Sequence, residues 1–194
     1  LDAPPLWGEL GGTDAVPAVP VVALLPGSRE QAATSVRLML AALLLAPPTL
    51  GLVAWTHEWL PPPPPGWRVD VAPPTLQGLL AAWRTDDGQR RVWWLRGRFA
   101  SVLASAQAVL GTAGTANEQA VGLGLPVVAF EVPPLFGRDY LRNQARLLGH
   151  GLRVSAAQPE AVAQALVTAL TDERVRELAR AAGAERMGGP GASA

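Results

Sequence analysis

The chain has 194 residues, with 16 basic and 16 acidic side chains and no net charge. That length allows one sizeable α/β domain, and the absence of any basic run excludes the clustered electrostatic footprint that nucleic-acid binding needs. Every basic residue is Arg, and Lys, Ile and Cys do not occur; with the load of Ala, Gly and Pro this reads as codon bias, and the lack of Cys removes disulfides and thiolate metal sites.

Residues 1–20, rich in Pro, Gly and Ala without apolar period, read as a linker or interdomain segment. The start at Leu1 rather than Met and the Gly-rich end are expected of a piece of a longer chain. Val21–Leu25 is continuous in apolar residues, as a parallel strand covered on both faces should be, and Pro26 and Gly27 end it. Ser28 is then placed to cap a helix with Gln31 in the reciprocal position of a capping box, and Ala32–Leu45 supplies the apolar helix face. Residues 38–56 carry no charge, but Pro47 and Pro48 divide them into pieces too short to span a bilayer. A buried helix followed by a strand over 49–56 accounts for them. Five prolines at 61–65 dictate an extended polyproline loop. Residues 75–84 are expected to form a helix, and 91–95 a strand whose Trp93 and Trp94 point to opposite faces. A nucleobase could stack on a Trp at this edge, though core packing is the default reading. Residues 96–105 form a short helix or turn.

The chain is organised around residues 110–131, LGTAGTANEQAVGLGLPVVAFE. A strand over 106–110 stops at Gly111, where a turn is expected, and Gly114 follows. A helix then runs from Thr115 to the Gly122 and Gly124 region before Pro126, and Val127–Phe130 is the next strand. Strand, glycine loop and helix start together put free backbone N–H groups at the carboxyl edge of a sheet, where an anion binds. Thr115 and Glu118 also have capping-box spacing, which is a sufficient structural role for that glutamate. The loop EVPPLFGRD is followed by a helix over 140–148, a strand at Leu152–Ser155, and helices over 159–170 and 172–182. His57 and His150 are isolated from any carboxylate pattern that a metal would need, so no metal site is expected. Alternation of strands and helices predicts an α/β fold, a Rossmann-like open, mostly parallel sheet with helices on both faces, over residues 21–184. Residues 185–194 are expected to be a flexible tail.

Residues 24–30 (LLPGSRE) and the segment GTAGTANEQAVGLGLPVVAF, in that order, carry a resemblance. They are similar to the donor-nucleotide half of GT-B glycosyltransferases, and within them to bacterial lipid-A-disaccharide synthase and its relatives. The resemblance spans roughly residues 21–155. It implies a domain that binds a UDP-sugar as substrate, requires no cofactor, and belongs to a hexosyltransferase acting on a lipid or glycan acceptor. The general base and acceptor site would lie in an N-terminal domain that this sequence lacks, so this fragment alone would be inactive. The implied location is cytoplasmic, with peripheral attachment at the inner membrane face left open.

Residue by residue, the resemblance makes Gly27, Ser28 and Arg29 one part of the site, with the Arg29 fork directed at phosphate. Gly111, Thr112, Gly114 and Thr115 are the diphosphate cradle. Glu118 accepts hydrogen bonds from the ribose hydroxyls. Asn143 and Gln144 are candidates for the donor sugar, against a solvated helix face, and Arg138 and Arg142 for additional charge on the diphosphate. Base contacts would come from main-chain groups near residues 96–105. A non-hydrolysing UDP-sugar 2-epimerase shares the fold, but its arginine- and glutamate-rich segment is replaced here by EVPPLFGRDY. A non-catalytic nucleotide-sugar-binding module is the alternative from another class. A dinucleotide oxidoreductase is disfavoured because PGSRE stands where G-x-G-x-x-G would follow the first strand.

Overall fold

A computed structural model of the chain describes residues 4–9, 17–71 and 76–187. Its centre is an eight-stranded sheet in the order β3-β4-β5-β2-β1-β6-β7-β8. The strands are β1 (Val21–Leu25), β2 (Thr49–Ala54), β3 (Trp67–Asp70), β4 (Leu79–Thr85), β5 (Arg90–Leu95), β6 (Ala108–Gly111), β7 (Val127–Phe130) and β8 (Leu152–Ser155). Every residue of β1, β6 and β7 is buried, which is why these strands are apolar throughout rather than alternating. From β5 to β8 all pairings are parallel; β4 alone of the eight strands runs against the others, pairing antiparallel with both β3 and β5.

The helices are α1 (Ala32–Leu45), α2 (Phe99–Ser105), α3 (Gly114–Gly122), α4 (Arg138–Leu148), α5 (Pro159–Thr171) and α6 (Glu173–Arg186). Right-handed crossovers put α1 on one face, since β2 lies on one side of β1, and α2, α3 and α4 on the other, since their connections move the opposite way along the sheet. Helix α5 returns to pack on α1 and on β6 to β8, while α6 packs on α3, α4 and α5. The approach of α1 to the sheet explains Gly51 in β2, where a Cβ would lie 3.1 Å from Leu43 and 3.2 Å from Leu24 and Val92. The sheet reverses its winding between β1 and β6, and that reversal opens a crevice at the carboxyl ends of these two strands.

The mostly parallel, doubly covered sheet is the one expected from sequence, and three local expectations are corrected. The segment expected as a helix over 75–84 contains β4, which pairs with β3 and β5; Thr75 lies outside the described residues. Its reason is the hairpin at Asp87-Gly88, a strong turn dipeptide, where Gly88 takes φ +68° and its N–H bonds the Thr85 carbonyl at 3.0 Å. β3 was not anticipated. Neither capping box forms. Ala32 N–H bonds the Arg29 carbonyl in a turn and α1 has no side-chain cap, while α3 begins at Gly114 after extended Ala113, which puts Thr115 inside the helix rather than at its cap. In the segment expected as a linker, Leu6 is fully buried and its N–H donates to Ser105 Oγ at 2.9 Å on α2. Residues 188–194, most of the expected tail, lie outside the described residues.

Candidate functional site

A cavity of about 560 Å³ occupies the crevice, and its lining comes from the carboxyl ends of β1, β2, β5 and β6 and the loop after β7. That volume lies within the range of small-molecule sites. Among the described residues, two arginines, Arg29 and Arg98, line it, and no Asp or Glu does. Among the described residues, no cluster of His, Cys, Asp or Glu could hold a metal ion. That lining favours an anion.

The polar end is built by two turns. At the β1–α1 turn, Gly27 takes φ +88°, which lets the chain pass close to the second turn: a Cβ there would lie 3.4 Å from the Thr112 carbonyl oxygen. Ser28 and Arg29 line the cavity beyond it, Arg29 exposed. Gln31 lines it too, and its buried Oε1 has no hydrogen-bond partner among the described residues.

At the β6–α3 turn, Thr112 is fully buried. Its N–H bonds the Leu25 carbonyl at 3.0 Å and its hydroxyl donates to the Pro26 carbonyl at 3.3 Å, so this hydroxyl ties the two turns together. Gly114 and Thr115 form the first turn of α3 at the cavity wall, and the opening N–H groups of a helix have no intrahelical partner. The α3 macrodipole adds partial positive charge at the same place. Gly111 is the last residue of β6 rather than part of a turn, and it does not line the cavity. A glycine is needed there for space: a Cβ would lie 1.9 Å from Asn117 Oδ1.

Asn117 and Gln144 hold this turn from behind. Fully buried Asn117 donates from Nδ2 to the Gly111 carbonyl at 3.3 Å and to Gln144 Oε1 at 3.0 Å, and Gln144 Nε2 donates to the Gly114 carbonyl at 3.0 Å. Both ends of the Gln144 amide are thus engaged inside the protein, and only 5% of the residue is exposed, which removes it as a sugar contact. Its place on the buried side of α4 follows from the helical period that also buries Leu141 and Leu148.

The remaining site candidates separate from the cavity. Asn143 is exposed and outside the lining. Arg138 pairs with Glu131 at 3.4 Å and Arg142 with Asp139 at 3.1 Å; both border a separate shallow groove along α4. Glu118 is half-buried and outside the lining, whereas the next residue, Gln119, lines the cavity. With α3 starting at Gly114, the residue of its second turn that faces the cavity is Gln119.

The other end is apolar; sequence reading named its neighbourhood at residues 96–105, as main-chain contacts to a base, but not the side chains that line it. Ala54, Trp55, Leu95 and Phe99 line it, with Arg98 among them. Trp55 is buried and meets Trp94 edge-on at a centroid distance of 5.0 Å. Trp94 itself is core, as is usual for a Trp in a central strand, and Trp93 on the opposite face is half-buried. Phe136 and Tyr140, 4.8 Å apart between rings, close a third side after β7, and the Tyr140 hydroxyl sits where a Cβ on Gly114 would be, 2.0 Å away. The available signal was positional: residues just past the carboxyl ends of β2 and β5 belong to the crevice of any sheet with this winding.

No family model matches the chain, and no curated sequence matches it significantly. Solved structures do. The calicheamicin glycosyltransferase is similar with a TM-score of 0.55 and 20% identity, over 88% of this chain and 40% of its own. The glycosyltransferase SnogD from Streptomyces nogalater gives 0.52 and 14% over 89% and 41%, and a candidate UDP-N-acetylglucosamine 2-epimerase from Listeria monocytogenes gives 0.54 and 14% over 92% and 42%. This chain spans about two fifths of the length of each, and at these identities the likeness is one of fold. No helix among the described residues is long and apolar enough to cross a membrane. The fold is the Rossmann-like half-domain of GT-B structures, the architecture shared by these glycosyltransferases and the epimerase.

Proposed function

We propose that this chain is the donor-nucleotide-binding half of a glycosyltransferase that uses a UDP-sugar, related to lipid-A-disaccharide synthase and carrying a hexosamine-type sugar. The observation that carries the reading is the cavity at the β1–β6 reversal, which joins Arg29 and the α3 N-terminus to an apolar end and, among the described residues, contains no carboxylate. A nucleoside diphosphate has the matching polarity: two phosphates for the polar end and a flat ring for the apolar one. PGSR supplies Arg29, and the GTAGTANEQ segment supplies the helix start.

In transfer, an acceptor hydroxyl oxygen forms a bond to the anomeric carbon while the bond from that carbon to the diphosphate oxygen breaks. The electron pair leaves on the diphosphate, and the acceptor proton passes to a base in a second domain. The residues here act on the leaving group. Arg29 and the free N–H groups of Gly114 and Thr115 meet the charge that develops on it, in an arrangement fixed before reaction. The acceptor, a lipid or a glycan, binds outside this half, and the complete protein provides the catalytic base.

Titration calorimetry of the chain with UDP, UDP-N-acetylglucosamine and NADH tests the reading. Uridine-nucleotide binding, with NADH silent, supports it; no binding of UDP at millimolar concentration overturns it. The resemblance to a candidate 2-epimerase favours a second reading, in which the same half serves an epimerase. Full-length protein that converts UDP-N-acetylglucosamine to its 2-epimer without an added acceptor would select that reading.

A further inference from the structure

Strand order lays the cavity out in three parts. The carboxyl ends of β5 and β2 carry the apolar end at Leu95 and Trp55, those of β1 and β6 carry the two polar turns, and the segment after β7 brings Phe136 and Tyr140. A nucleoside diphosphate bearing a sugar has three parts as well, joined in the fixed order base, diphosphate, sugar. With the ring at the β2–β5 end and the diphosphate over the polar turns, the distal phosphate lies toward β7.

Tyr140 crosses that boundary. It lies in the first turn of α4, and its hydroxyl reaches back to α3, into the notch that a Cβ on Gly114 would fill. Helical Cβ atoms tilt toward the N-terminus, so an oxygen in that notch stands on the rim where α3 leaves its opening N–H groups without intrahelical partners. Its place is fixed from two sides. Gln144, four residues further along the same face of α4, donates to the Gly114 carbonyl at 3.0 Å, so α4 grips this one glycine with an amide and a phenol together. On the other side the buried Phe136 ring lies 4.8 Å from the Tyr140 ring, and Phe136 is itself tied to Val132 by backbone hydrogen bonds of 2.8 and 3.1 Å. Tyr140 still keeps 43% of its surface open and lines the cavity.

Resting on the donor-nucleotide reading, we propose that Tyr140 binds the distal phosphate, the one that bears the sugar, its hydroxyl donating to a phosphate oxygen beside the opening N–H groups of α3. A phenol hydroxyl adds a donor without adding charge, and one already seated against Gly114 and Phe136 needs little ordering when the anion arrives. Hydrogen bonds to ionised oxygens are stronger than those between neutral groups. When the bond from the anomeric carbon to the diphosphate breaks, the electron pair stays on an oxygen of this same phosphate, and a donor set there beforehand stabilises it. Arg29 approaches the anion from the β1 side and Tyr140 from the β7 side, so the two act on different parts of the diphosphate.

The test compares UDP with UMP, which lacks the distal phosphate, by titration calorimetry on the chain and on Tyr140→Phe, which keeps the ring and removes the hydroxyl. The substitution is expected to weaken UDP binding about tenfold, with UMP binding and the urea midpoint as in the wild type. UDP bound equally well by both proteins overturns the inference and leaves the donor-nucleotide reading standing, since the hydroxyl then does no more than fill the notch at Gly114. Equal losses for UDP and UMP also overturn it. Tyr140 is the single tyrosine of the chain, so a second measurement requires no variant to fold. With 3-fluorotyrosine incorporated, the fluorine signal is expected to move on addition of UDP and to stay on addition of UMP; a signal that ignores UDP, or answers both alike, overturns the inference. Failure of the wild type to bind either nucleotide overturns the donor-nucleotide reading, and this inference with it.

Discussion

The two turns at the polar end of the cavity are held in opposite ways. The β6–α3 turn is held from behind by buried amides, with Asn117 and Gln144 bonded to each other and to the Gly111 and Gly114 carbonyls. The β1–α1 turn has no side-chain cap and presents exposed Arg29 on a long stem. On the donor-nucleotide proposal, one turn is a fixed cradle of backbone donors, and the other supplies a charge that can follow the nucleotide. Alterations to the first should therefore cost stability and binding together, and alterations to the second should cost binding alone.

Gly111→Ala is the severest way to break the fixed turn, because the new methyl meets Asn117 Oδ1 inside the core. A loss of about 2–4 kcal/mol in urea-melt stability is expected, from overpacking plus a broken buried hydrogen bond; an unchanged midpoint would show that the Asn117 amide is not held where we describe it. Gln144→Ala should cost about 1–3 kcal/mol by leaving the Gly114 carbonyl and Asn117 Nδ2 without this partner. Were stability intact and only affinity for the sugar portion reduced, Gln144 would return to the role of a sugar contact.

Arg29→Gln sharpens the contrast from the other side. Melts should change by no more than about 0.5 kcal/mol, as for an exposed substitution, while UDP binding by calorimetry weakens roughly 10- to 100-fold through loss of a charged hydrogen bond. Smaller again, Gln119→Ala should lower UDP affinity by about 1 kcal/mol and Glu118→Ala by less, since only Gln119 lines the cavity. The reverse order would reinstate Glu118 as the ribose ligand.

The smallest effect lies outside both turns. In the β4–β5 hairpin, the Thr85 hydroxyl, the Gln89 N–H and the Arg90 guanidinium hold the exposed Asp87 carboxyl below its ordinary value of 3.8. A depressed carboxylate stabilises the fold above that ordinary value, and the contribution fades as pH falls through the lower folded one. Asp87→Asn should thus remove a slight part of the acid sensitivity of stability below about pH 4 and leave nucleotide binding unaltered, as a urea series across pH would read.

The sequence by itself determined the strands that are buried on both faces and the glycine turns between them. Val21–Leu25 and Val127–Phe130 begin and end where the apolar runs do, because a strand buried within a parallel sheet writes its limits into hydrophobicity. PGSR and GTAGTANEQ marked the polar end of the cavity for the same local reason: a strand, a glycine and a helix start are contiguous in the chain. Tertiary structure decided the rest. Residues 79–85 are apolar enough for a helix, and the hairpin at Gly88 and pairing with β5 make them a strand. Gln144 looks like a surface amide until α4 packs on α3 and it meets Asn117, 27 residues away. Trp55, Arg98 and Tyr140 share one cavity because strand order brings the ends of β2 and β5 and the first turn of α4, after β7, together. Contacts of that kind depend on which strands become neighbours, and no local period in the sequence records that choice.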